Sequence, residues 1–116
     1  MKAIRGTTFI EGIDVIIKRD LDKHKSLLNN NNLDIQAFEN ARDTEIKRKR
    51  FYNEQKGKRN YDDDAMDKAI NQMAINITHL SDRIKITKEL RQQNTHIVDT
   101  LTEQLEQYYI DLRNSK

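Results

Sequence analysis

Apolar residues recur every three or four positions along much of the chain, which is the spacing that places them on one face of an α-helix. In the N-terminal part this repeat runs from Ile10 to Leu28. Thr8 and Glu11 match the S/T-x-x-E capping box, in which the two side chains bind amides of the first helical turn. The sequence therefore predicts a first helix over residues 8–28.

A run of four asparagines, Asn29 to Asn32, interrupts the apolar repeat. Asparagine tolerates left-handed backbone geometry and its side chain competes for backbone hydrogen bonds, so the run predicts that the helix ends and the chain reverses. A second helix, with sparser apolar positions, is expected over residues 34–56. Gly57 is a candidate C-cap because glycine adopts the left-handed conformation without steric cost.

The C-terminal half carries the most regular pattern. Fourteen positions from Met66 to Leu112 alternate spacings of four and three residues, and eleven of them are apolar. This is a heptad repeat, which predicts a packing seam in a coiled coil or a helical bundle. The apolar members of the seam are Met66, Ile70, Met73, Ile77, Leu80, Ile84, Val98, Leu101, Leu105, Tyr108 and Leu112.

The three polar members of this row, Thr87, Arg91 and Asn94, are consecutive seam positions. They indicate either a hydrated gap in a continuous coiled coil or a helix break near residues 92–95. We favour one continuous helix over residues 63–113, because neither glycine nor proline interrupts it.

Composition supports a helical fold. The 116 residues include no proline and three glycines, so strong helix breakers and tight hairpin turns are scarce. Only 35% of the residues are apolar, which is little for a spherical core. We therefore predict one all-α domain over residues 1–116, with a helical hairpin followed by a long C-terminal helix that is continuous or broken once. The seam is expected to be covered by the two shorter helices folded back along it, by a second copy of the chain, most simply in a homodimer, or by the target itself.

Positive charge is concentrated in the middle of the chain. The net charge is only +2, but the basic segment, residues 42–59, holds eight basic and three acidic residues. Lysine and arginine can neutralise phosphates, and the interleaved Phe51, Tyr52 and Tyr61 could stack on unpaired bases. Three interpretations stay open: a nucleic-acid site, a site for an acidic protein, and a solvated helix end or targeting signal. The candidate binding residues are Lys47, Arg48, Lys49, Arg50, Tyr52, Lys56, Lys58 and Arg59.

Residue patterns typical of catalysis or metal binding are not found. The chain has no cysteine, and its three histidines are too far apart in sequence to form a zinc-binding pair. An EF-hand loop beginning at Asp62 would need glycine and glutamate where Asp67 and Met73 stand. The acidic residues Asp62 to Asp64 are better explained as the start of a helix. We therefore expect no cofactor, no metal and no enzymatic activity.

The sequence shows neither an apolar run long enough to cross a membrane nor an N-terminal signal peptide. We expect a cytoplasmic protein, or a nuclear one if the host is eukaryotic. Its richness in asparagine, isoleucine and lysine is typical of AT-rich genomes, including those of many phages and viruses. The leading hypothesis is a non-enzymatic protein–protein interaction factor, such as a phage or viral inhibitor or modulator of host machinery. The alternatives are a nucleic-acid-binding accessory protein that uses residues 47–59 and a structural or assembly component.

Overall fold

The computed structural model describes residues 2–58 and 62–115, with side chains described from residue 12 onward. Two α-helices make up nearly all of these ranges: α1 (Lys2–Gln55) and α2 (Asp63–Asn114). No strand occurs in them, and the two helices pack against each other. The predicted all-α hairpin architecture is therefore confirmed, but it is built from two long helices and not from three.

The predicted helix boundary at Asn29 to Asn32 is wrong, because α1 continues through all four asparagines. Asparagine costs at most about 0.7 kcal/mol relative to alanine in a helix interior. The three-four spacing of the packed positions of α1 also continues across the four asparagines, through Leu28, Asn31 and Ile35. Continuing the helix therefore keeps these positions on the packed face, which offsets the low helix propensity.

The predicted start of the first helix at residue 8 is also wrong, because α1 begins at Lys2. The S/T-x-x-E pattern occurs inside helices as well as at their ends, since a threonine within a helix can bond to the carbonyl four residues earlier. The side chains of Thr8 and Glu11 lie outside the described residues, so the predicted capping bonds are not among the contacts described.

Gly57 ends α1 as predicted. Its φ angle is +81°, in the left-handed region that favours glycine. The amide of Lys58 donates to the carbonyl of Gln55 at 3.1 Å, and the amide of Gly57 donates to the Asp63 carboxylate at 3.0 Å. These bonds turn the chain away from α1 and link the turn to the first residue of α2.

Asp62 caps the N-terminus of α2. Its carboxylate accepts hydrogen bonds from the amides of Asp64 at 3.0 Å and Ala65 at 3.3 Å, and its carbonyl accepts from Met66 at 3.0 Å. Asp63 and Asp64 occupy the first turn, where the helix dipole favours negative charge. The helix is then unbroken to Asn114, which confirms the predicted continuity through residues 92–95.

The chain divides into two compact units, and the divisions fall inside both helices. Unit 1 comprises Met1–Asn31 and Leu90–Lys116, and unit 2 comprises Asn32–Glu89. Each unit pairs a segment of α1 with a segment of α2.

In unit 1, Leu21 is buried and Val98 is half-buried. A polar network joins α1 and α2 within this unit. Nδ1 of His24 lies 3.3 Å from the Asn94 amide oxygen, and the Asn94 amide nitrogen donates to the Asn31 side-chain oxygen at 2.9 Å. Since an amide oxygen only accepts, Nδ1 of His24 is the donor. Asn94, a polar position of the α2 seam, is thus hydrogen-bonded to two polar side chains of α1.

Unit 2 contains most of the buried apolar side chains. Ile35 of α1 and Met66, Met73 and Ile84 of α2 are each at most 7% exposed. Thr87 is also buried, and its hydroxyl donates to the carbonyl of Arg83 at 2.7 Å, so the hydroxyl is not left without a partner.

Candidate interaction surfaces

The basic segment lies in unit 2, in the last turns of α1 and the turn that follows. Its residues do not share one face. Lys47, Arg48 and Arg50 are exposed. Lys49 and Tyr52 are half-buried, and they continue the three-four spacing of the packed face of α1. Some side chains of the basic segment therefore face solvent and others face α2. The sequence of consecutive basic residues does not distinguish the two groups.

Arg48 is engaged by Glu45. A guanidinium nitrogen lies 2.8 Å from one Glu45 oxygen, and the Asn76 amide donates to the other at 3.0 Å. The Asn76 hydrogen bond, followed by the bond to Arg48 and its charge, lowers the pKa of Glu45. Glu45 thus joins the two helices of unit 2 and holds Arg48 beside the seam.

Lys56 is paired with a carboxylate near the start of α2. Its ammonium group lies 2.6 Å from the Asp67 carboxylate, and this hydrogen bond and charge raise the pKa of Lys56. Both side chains are close to half exposed, so the pair is solvated and its contribution to stability is modest. Lys56 therefore connects the turn after α1 to α2, and its charge is less available to a binding partner.

The remaining cations of the basic segment are differently placed. Within the described ranges, no hydrogen bond or ion pair joins the side chain of Lys47, Lys49, Arg50 or Lys58 to another group. Lys49 and Arg50 border a shallow depression on α1. Its other lining residues are Ile46, Asn53 and Glu54. Arg59 and Tyr61 lie outside the described residues.

Phe51 is the exposed aromatic of this region. Half of its surface, 51%, is open to solvent, and its ring contacts Tyr52 with centroids 6.0 Å apart and planes tilted by 59°. It follows Lys47 by four residues, so the two side chains lie on neighbouring turns of one helix face. Lys47 thus neighbours both Phe51 and Arg50, which follows it by three residues, whereas Arg48 is paired with Glu45 and Lys56 with Asp67.

The fourteen seam positions of α2 are all buried or half-buried in the single chain. Met66, Met73, Ile84 and Thr87 are buried, and the other ten are half-buried. α1 carries a matching row at the same spacing, with several polar members. Its members from Leu21 onward are Leu21, His24, Leu28, Asn31, Ile35, Phe38, Arg42, Glu45, Lys49 and Tyr52. Burial of the α2 seam therefore does not require a second copy.

Large apolar side chains also lie outside the two seams. In unit 1 the exposed ones are Val15, Ile16, Leu27, Leu90, Tyr109 and Ile110. In unit 2 they are Leu33, Phe51, Ile75 and Ile86. These ten are between 38% and 60% exposed, and they outnumber the five buried hydrophobic residues of the described ranges. These residues could have been identified from the sequence, because they lie outside the three-four repeat. Val15 and Ile16, for example, widen the apolar stripe of α1.

A second titratable cluster lies in unit 1. Tyr109 donates from its hydroxyl to Asp14 at 3.1 Å, and the Lys18 ammonium lies 3.6 Å from Asp14 and 5.5 Å from the Tyr109 ring centroid. Tyr109, followed by Asp14, raises the pKa of Lys18. These contacts are exposed and connect α1 to α2.

In the described part of the chain, no group of three or more histidine, aspartate or glutamate side chains is placed to hold a metal ion. None of the helices there has a stretch with the length and apolar character that crossing a membrane requires. No protein-family model, curated protein or solved structure matches the chain.

Proposed function

We propose that the protein is a non-enzymatic interaction factor that presents the surface of its helices to another protein. One observation carries the proposal: ten large apolar side chains are exposed, twice the number of hydrophobic residues that the described chain buries. Single exposed apolar residues are normal on protein surfaces, but protein interfaces are enriched in aromatic side chains and bury apolar ones at their centres.

The partner in this proposal is a protein inside the cell, and its contacts centre on the apolar side chains outside the seams. A homodimer is one form of it. Because α1 already lies against the α2 seam, a second copy would also use these outer side chains. The finer proposal, a phage- or virus-encoded inhibitor of host machinery, is supported only by the composition rich in asparagine, isoleucine and lysine.

The proposal is tested by affinity capture from a nuclease-treated lysate of cells that express the protein, with mass-spectrometric identification. Two double variants place charges at exposed apolar positions: Val15→Asp with Ile16→Asp in unit 1, and Ile75→Asp with Ile86→Asp in unit 2. We expect at least one of them to lose a protein that the wild type captures, while circular dichroism shows unchanged helicity. Asp substitutions at the exposed Lys25 and Lys85 serve as controls.

A wild-type chain that captures no protein specifically, or folded variants that all capture the same proteins, would contradict the proposal. Sedimentation equilibrium of the same variants tests the homodimer. A wild-type dimer that either apolar double variant converts to a monomer would assign the outer surface to self-association. A wild-type monomer at every concentration would rule that form out.

A further inference from the structure

Lys47, Arg50 and Phe51 are exposed on the last turns of α1, and Lys58 is exposed in the turn beyond them. We propose that this basic face binds single-stranded nucleic acid: its cations contact phosphates, and the Phe51 ring stacks on one unpaired base. Phe51 is one of the ten exposed apolar residues, but this proposal also requires the cations beside it and is tested by a different measurement.

The first argument is the availability of charge. Among the described residues, Arg48 is the one member of the run from Lys47 to Arg50 that has an ion pair, and its partner is Glu45. Lys47 and Arg50 are exposed and have no internal acidic partner within the described ranges. A phosphate that binds them therefore breaks no ion pair of the described residues, and the counterions that it releases favour binding. The same phosphate would have to compete with Glu45 for Arg48 and with Asp67 for Lys56.

The second argument is the aromatic ring beside these cations. Phe51 is 51% exposed although it belongs to the residue types that proteins usually bury. Its contact with the half-buried Tyr52 supports one edge of the ring, while much of the remaining surface stays open. Proteins that bind single strands combine this pair of features, a basic surface and an exposed aromatic side chain on which a base can stack.

The ring decides between single-stranded nucleic acid and the other anionic partners. In a duplex the base faces are stacked on each other and cannot reach Phe51. An acidic protein surface could pair with Lys47 and Arg50, but its carboxylates have no use for an aromatic face. Single-stranded nucleic acid fits both features, since its phosphates pair with the cations and its unpaired bases can stack on the ring.

Two acidic residues limit the extent of the site. Asp43 precedes Lys47 by four residues and Glu54 follows Arg50 by four, and both are exposed. At this spacing each carboxylate partly neutralises the neighbouring cation, and it also repels a phosphate backbone at its end of the basic face. The site is therefore short, and its affinity should depend strongly on salt.

The test is fluorescence anisotropy of a labelled oligothymidine of about 20 nucleotides, titrated with the full chain at several salt concentrations from about 50 mM. The test variant is Lys47→Gln with Arg50→Gln. Its matched control is Lys23→Gln with Arg19→Gln, which removes one lysine and one arginine from exposed positions of unit 1 and gives the same net charge. We expect the test variant alone to flatten the slope of log affinity against log salt, by about 1.4 for two phosphate contacts.

The role of the ring is tested by Phe51→Ala, with Leu33→Ala as the control because Leu33 is a large exposed apolar residue of the same unit. Loss of one stacked base should weaken binding about tenfold for Phe51→Ala, and the control should bind like wild type. Circular dichroism establishes that each variant is folded. Glu54→Gln should strengthen binding, since it removes a repelling charge.

Four outcomes would overturn the proposal: no binding of the oligonucleotide by wild type at about 50 mM salt, equal losses in the two charge-matched variants, wild-type affinity in Phe51→Ala, and tighter binding of a duplex of equal length. Displacement of the oligonucleotide by an equal concentration of polyglutamate would also overturn it, because the site would then recognise charge alone. Capture of a protein partner affects none of these measurements.

Discussion

Glu45 is a charged residue at a seam position, and its neighbours explain how it is accommodated. Its side chain is only 13% exposed, yet both of its carboxylate oxygens have donors, one from Asn76 and one from Arg48. These donors favour the ionised form and lower the pKa of Glu45. Since the pKa is lower in the folded state, the group contributes stability above its unfolded pKa and loses it as the pH falls through the folded value.

Replacing Glu45 with glutamine should therefore reduce the loss of stability on acidification. We expect wild type to lose more of its free energy of unfolding between pH 7 and pH 3 than Glu45→Gln does, because only wild type has this carboxylate to protonate. Urea unfolding at the two pH values measures the difference. Glu89→Gln, at an exposed position, is the control, and equal acid losses in Glu45→Gln and wild type would show that the bonds seen here do not favour the ionised form.

Two glycines should respond in opposite ways to the same substitution. Gly57 has a φ of +81°, so Gly57→Ala should destabilise the protein by about 1 kcal/mol. Gly12 lies inside α1 with open space where a Cβ would be, so Gly12→Ala should stabilise it by roughly 0.5–1 kcal/mol. Thermal unfolding followed by circular dichroism checks both. Shifts of the same sign would contradict the conformational explanation.

At the scale of the element, the ends of the central turn could be predicted from sequence and the continuity of α1 could not. Gly57 and Asp62 act through their own backbone geometry and nearby amides, which short motifs describe well. Asn31 depends on Asn94, a partner 63 positions away, so the local preference of asparagine for turns gave the wrong prediction. The three-four spacing through Leu28, Asn31 and Ile35 was the signal that could have corrected it.

Substitutions at Asn30 should separate a helix interior from a loop. Asn30 is exposed within α1, so Asn30→Ala should raise the free energy of unfolding by about 0.5 kcal/mol. Asn30→Pro should lower it by about 3 kcal/mol or more, since proline removes a helical hydrogen bond and clashes with the preceding turn. Urea unfolding measures both changes. If the proline variant were as stable as wild type, the chain would have a loop at this position.

At the scale of the whole molecule, the heptad row of α2 predicted which face is packed, and the sequence could not say what covers it. Every one of its fourteen positions is buried or half-buried within one chain. The matching row on α1 includes the charged residues Arg42, Glu45 and Lys49. A search for apolar periodicity therefore does not detect this row as a packed face. The candidate basic site was also predicted only in part. The sequence shows which residues are cations, but it does not show which of them form ion pairs with acidic side chains.

A charge in the seam should disrupt folding, whereas the same charge outside it should not. Leu101 is half-buried in the seam of unit 1, and Leu101→Asp should cost at least about 2 kcal/mol and reduce the helical signal. Ile86→Asp, at a position that is 56% exposed, should leave the helical signal intact. Circular dichroism at several protein concentrations measures both. Unchanged helicity in Leu101→Asp would contradict the assignment of the seam as the packed face.

The small core has a consequence for how the protein responds to temperature. In the described ranges no side chain is entirely removed from solvent, and five hydrophobic residues count as buried. The heat-capacity change of unfolding follows the apolar surface newly exposed to water, and for globular proteins it is about 12–15 cal/mol/K per residue. A lower value is expected here, which flattens the curve of stability against temperature. The chain should therefore lose little stability on cooling, while its heat transition should be broad.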